Sequence, residues 1–214
     1  MSTVPVSRLF VVSLLLISLL IAAPTLAASA AKRIGNHEAS SGARQFLAAQ
    51  TPLVINEFLA VPPSGAAGDA NGDGSRSASQ DEFVELVNTG PTTLDVGGFT
   101  IGDSVQTRFT FPSGKTIPAG EAAIVFGGGT PSGSFGNCRA NGLVFAAGGA
   151  GLSLNDSGDS IIVKNALGIE AARVDYPPPA VSGQSITRSP DVTGGFAGHL
   201  TASGSSGRLL SPGT

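Results

Sequence analysis

The 214-residue chain has no tryptophan, one tyrosine, one cysteine and two histidines. Each scarcity excludes something. With Cys138 alone, no intramolecular disulfide can form, so the thiol is free or links to another chain. A catalytic thiol wants a histidine beside it, and His37 and His199 are both distant in sequence. Cys138 therefore reads as a small, half-buried loop residue. Charged residues make up 13%, and the net charge is −3. The three lysines, Lys32, Lys115 and Lys164, are dispersed. A nucleic-acid ligand requires clustered Lys and Arg that displace counterions from phosphates, so no nucleic-acid partner is expected. Neither a phosphate-cradling glycine loop nor a G-x-S-x-G nucleophile elbow occurs.

What is abundant is glycine (30), proline (14) and phenylalanine (11). That composition suits short strands joined by tight turns, with a core of Val, Ile, Leu and Phe.

The N-terminus has the layout of a secretory signal peptide over residues 1–30. A polar start carrying Arg8 precedes the apolar run LFVVSLLLISLLIAA at residues 9–23. Its 15 residues fall short of the roughly 20 that span a bilayer. Small residues follow, with candidate cleavage sites after Ala27 and after Ala30. An uncleaved anchor is the alternative. No cysteine follows the run to accept a lipid. Without its leader the chain keeps 11 basic and 15 acidic residues. It is expected outside the cytoplasm or at the cell surface, with no membrane span in the mature chain. Residues 31–50 read as a spacer, 51–200 as one domain and 201–214 as a flexible tail.

Strand signals begin at residues 53–61 (LVINEFLAV), which stop at Pro62-Pro63. Residues 81–88 (DEFVELVN) place Phe83, Glu85 and Val87 on one face and Val84 and Leu86 on the other. One of Glu82 and Glu85 must therefore be paired or lie at an edge. Short candidates recur at 99–101, 108–111, 122–126, 142–145, 152–154 and 185–188. Residues 160–164 and 169–175 form a hairpin pattern across 165–168. Eight or nine strands at such spacing predict a β-sandwich.

Several segments together resemble the lamin tail domain family: VINE at 54–57, DEFVELVN at 81–88, LDVGGFTIGD at 94–103, FPSGKTIPAG at 111–120, LNDSGDSIIV at 154–163 and QSITRSPD at 184–191. The resemblance runs from about residue 53 to 190, and residues 194–213 are also family-like. It implies an immunoglobulin-like β-sandwich serving as a non-catalytic interaction or structural module. Phe99 stands where the family often has Trp, and Phe can fill the same core position.

One segment carries metal chemistry. In GDANGDG at 68–74, Asp69, Asn71 and Asp73 fall at positions 1, 3 and 5 of a calcium loop, with Gly74 at the turn position 6. Position 12 is the neutral Gln80, so Asp81 or Glu82 would supply the missing carboxylate. The competing reading is an acidic loop closed by Asx-turns. Glu57, Glu82 and Glu85 are a weaker carboxylate cluster for hydrolysis, with no histidine evident to join them. The expected function is binding of a protein or polysaccharide outside the cell, with calcium as a candidate stabiliser. The alternative is a metal-dependent extracellular hydrolase, or an accessory domain of one.

Overall fold

The computed structural model of the chain describes residues 52–177 and 180–213. The expected leader and spacer lie outside the described residues. The chain folds as an immunoglobulin-like β-sandwich of short strands: β1 Leu53–Leu59, β2 Phe83–Asn88, β3 Leu94–Asp95, β4 Thr100–Gly102, β5 Thr107–Thr110, β6 Thr116–Ile117, β7 Ala122–Phe126, β8 Val144–Ala146, β9 Asp159–Lys164, β10 Glu170–Tyr176, β11 Ile186–Ser189 and β12 Gly195–Gly198. One sheet has the order β12-β11-β1-β2-β7-β8, the second β10-β9-β4-β5, and β3 and β6 form a small third pair. β7 and β8 run parallel.

Ile55, Phe58, Leu86, Ile101 and Val163 are buried in one continuous core. In the absence of Trp, phenylalanines supply the aromatic area. Phe109, Phe111 and Phe145 meet with ring centroids 5.0–5.5 Å apart, and Phe58 packs on Tyr176 and Phe196. Offset and edge-on geometries of this kind are worth about 0.5–1.5 kcal/mol per pair beyond area burial. Phe99 is buried in the same core.

Three features differ from the sequence expectation. Residues 152–154 are not a strand. Ser153 has φ 55, which breaks the ladder while leaving Leu152 and Leu154 buried. The Gly-rich stretch around Cys138 contains a short helix, α1, Gly136–Ala140. The expected flexible tail is instead docked. Leu210 packs against the core, Ser185 donates its N–H to the Leu209 carbonyl at 2.9 Å, and the residues beyond bond to the first sheet. The docking partners are two glutamates on β1 and β2, more than a hundred positions away, so no local pattern announces it.

β1 carries a bulge. Its register against β2 slips between Ile55 and Glu57, leaving Asn56 unpaired. A bulge re-aims side chains and alters the strict alternation of faces. After it, Glu57 stands opposite Glu85, with Phe58 opposite Val84 and Leu59 opposite Phe83. Glu57 and Glu85 therefore share the face that also carries Phe83, turned away from the Val84–Leu86 side.

Candidate functional site

The acidic loop leaves a one-turn 3₁₀ segment, Gly65–Gly68, and returns to β2. Its side-chain oxygens are aimed at its own backbone. Asp69 Oδ1 accepts the Asp73 N–H at 3.0 Å and Oδ2 accepts that of Gly74 at 2.8 Å. Asn71 Oδ1 converges on the same Asp73 N–H at 2.9 Å. Asp73 Oδ1 accepts from Ser75 N at 3.0 Å and Oδ2 from Thr130 N at 3.2 Å. Asp81, fully buried, accepts the N–H groups of Asn71 at 3.0 Å and Ser77 at 2.6 Å. Gly74 takes φ 91, a left-handed conformation that the turn position requires.

The loop is also moored to the exit of β7. Asn71 Nδ2 donates to the Gly128 carbonyl at 3.2 Å, Ser132 N donates to the Asn71 carbonyl at 2.9 Å, and Ser132 Oγ donates to the Gly72 carbonyl. A Cβ at Gly129 would collide with the Asn71 amide and the Asp73 carboxylate, so close approach needs glycine there. Asp69, Asn71, Asp73 and Asp81 are thus brought together in one bonded loop. Among the described residues, no three His, Cys, Asp or Glu side chains are grouped so as to hold a metal ion.

Glu82 does not join them. Its Oε2 accepts the Leu154 N–H at 3.1 Å, on the other side of β2 from Asp81. Burial pushes its carboxyl up to about 7 against the pull of the Leu154 and Ser153 N–H groups, and Asp156 adds to the rise.

Glu57 and Glu85 do meet, without Glu82. They are 1% and 2% exposed. Glu57 Oε1 accepts Ser185 Oγ at 2.6 Å and Ser211 N at 2.9 Å, and its Oε2 accepts Ser211 Oγ at 2.8 Å. Glu85 Oε1 accepts Asn56 Nδ2 at 2.8 Å and its Oε2 accepts Gly213 N at 2.6 Å. Asn56 is satisfied in turn, donating to Asp191 at 3.0 Å and accepting from Val192 N at 2.9 Å. Burial first, then the neighbouring Glu57 carboxyl, pushes Glu85 up to about 7.

The histidine missing from the sequence pattern is supplied by the fold. His199, buried, has Nε2 2.8 Å from Ser211 Oγ and Nδ1 2.8 Å from the Arg208 carbonyl. The order is His199, Ser211, Glu57. A nucleophilic triad places imidazole between hydroxyl and carboxylate; here the hydroxyl stands between the other two, which does not activate it. Cys138 is buried on α1 and donates to the Ala122 carbonyl at 3.2 Å. Burial, then Glu85 and Glu121, push its thiol up to about 12, so it stays protonated and unreactive at neutral pH.

Sequence reasoning missed Asn56, Ser185, Ser211 and Gly213 as partners of the glutamates, and His199 behind Ser211. The one local signal was the Asn-Glu pair inside an otherwise apolar strand, an interruption that marks the bulge. Comparison with curated proteins finds no match. The family model for the Lamin Tail Domain matches residues 47–178, ending before β11, β12 and the docked tail. That match covers more than half of the chain and agrees with the sandwich just described: the chain belongs to the lamin tail domain family.

Proposed function

We propose that this lamin tail domain is an exported, non-catalytic interaction module that presents its sandwich-end loops to a protein or polysaccharide. Residues 68–81 are the presented loop and calcium is its stabiliser. The observation that supports this reading best is the loop's preorganisation. Asp69, Asn71, Asp73 and Asp81 hold its backbone, and Gly128 and Thr130 moor it to the sheet. A loop already fixed in one conformation loses little entropy when a partner docks.

The donor set also suits a hard cation, since Asp and Asn oxygens are calcium's preferred ligands. Each oxygen that accepts one N–H keeps further acceptor capacity. Binding requires the side chains to rotate toward the ion from their present backbone partners. A site with Kd of about 10⁻⁴–10⁻³ M would be filled in an extracellular, millimolar-calcium setting. Export rests on residues 1–30. The hydrolase alternative needs carboxylates open to substrate, and Glu57 and Glu85 are sealed.

The test is calorimetric titration of calcium into the mature chain, with thermal melting alongside. Saturable heat and a raised Tm, both lost in Asp69→Ala/Asp73→Ala, support the calcium-stabilised module. No heat and no shift at millimolar calcium remove the ion and leave a self-closed turn. A hydrolytic activity abolished by Asp73→Ala would overturn the non-catalytic reading.

A further inference from the structure

We infer that Glu85, buried opposite Glu57, is a proton-dependent latch for the C-terminal segment: with Glu85 protonated, residues 209–213 stay clamped on the first sheet, and loss of that proton loosens them.

The latch follows from register and from donors. Glu57 and Glu85 are cross-strand neighbours on one face, where opposite Cβ atoms lie about 4.5–5.5 Å apart. Both are buried, and among the described residues no Lys or Arg forms an ion pair with either. Two buried like charges without a cation resist ionising together, so one proton is retained. Five donors reach the pair, and three come from Ser211 and Gly213. The segment is therefore held chiefly by the groups whose charge is in question. Its departure would open Glu85 to water and return that carboxyl toward ordinary acidity.

The surroundings leave the pair in control. Asp191 lies beyond Asn56. Glu121 and Cys138 line, with Glu85 and Gly213, a cavity of about 150 Å³. Asp191 reinforces retention of the proton. Arg188 is engaged by the Ile55 and Gly194 carbonyls, at 2.9 and 2.8 Å. His199 touches the pair only through Ser211.

The sign is fixed by linkage. The clamped state holds its proton up to about pH 7, whereas the hydrated carboxyl of the released state loses it near its ordinary value of about 4.3. Clamping is thus fully stabilised below the lower value and weakens as pH rises to the upper one. One proton is worth roughly a tenfold change in the opening equilibrium per pH unit, with a plateau above the window.

NMR-detected hydrogen exchange of the mature protein tests this. Rates for the Ser211 and Gly213 amides are divided by the intrinsic rate at each pH. Their protection should fall roughly tenfold per unit between about pH 5 and 7, then level off. The slope should vanish in Glu85→Gln and shift to lower pH in Glu57→Gln, which serves as the second variant if Glu85→Gln folds poorly. A flat wild-type profile overturns the latch. So does a slope that survives in both glutamine variants and disappears in His199→Gln, since histidine titrates in the same window.

Discussion

The molecule keeps two groups of acids, and they are satisfied in opposite ways. In the loop, Asp69, Asn71, Asp73 and Asp81 bind mostly backbone N–H groups two to five residues away. In the sheet, Glu57 and Glu85 take donors 128 to 154 residues away, from Ser185 just before β11 and from the C-terminal segment, besides Asn56. The loop residues fix a local conformation, Asp69 and Asp73 partly exposed and Asn71 and Asp81 buried. The sheet acids are buried and, among the described residues, form no ion pair with Lys or Arg, so they depend on the segment that covers them. Identical chemistry thus builds a presented loop in one place and a clamp in the other.

Removing the clamp should have the largest effect. A chain ending at Arg208 loses the three donors from Ser211 and Gly213 and the packing of Leu210. Rehydration of the uncovered carboxyls offsets part of the loss. Denaturant unfolding should show a deficit of about 2–4 kcal/mol, on the scale of unpairing buried charged groups. An unchanged midpoint would reduce the tail to an ornament.

Asp81→Ala comes next. It strands the N–H groups of Asn71 and Ser77 and should cost about 1–3 kcal/mol. The loss should appear as higher exchange rates confined to residues 68–81. If the whole sheet loosened equally, the loop would not be the separate unit described. Arg173→Ala marks the lower end. Its pairing with Glu170 and Asp175 lies on the exposed edge strand β10, where ion pairs contribute little. Its Tm should match the parent's within measurement error.

The same contrast explains what could be read before the fold was known. The β9–β10 hairpin was legible because Asn165 and Gly168 set its turn locally: Gly168 N donates to the Asn165 carbonyl at 2.8 Å, and Asn165 Oδ1 accepts the Leu167 and Ile169 N–H groups. The acidic loop was legible for the same reason. The face assignment of β2 gave the right grouping of Phe83 with Glu85, and the demand that a glutamate be paired is met at Glu85 by the donors Asn56 and Gly213. The partners themselves were not legible, because the bulge at Asn56 and the return of residues 209–213 are tertiary. β12 was missed because Gly195–Gly198 carries one large side chain, Phe196, and its pairing is set by β11. Leu152 and Leu154 imitated a strand because both are buried, although φ at Ser153 forbids the ladder.

The clamp stands or falls on Glu85, buried beside Glu57 in the sheet and holding its proton. Carbon-13 detection of the glutamate side-chain carboxyls across a pH series measures this directly. Glu85 should titrate near pH 7, displaced from ordinary glutamates by its burial and by Glu57, and should return to the usual range in the chain ending at Arg208. If Glu85 titrates as exposed glutamates do, near pH 4.3, its carboxyl is open to water and the clamp is not sealed.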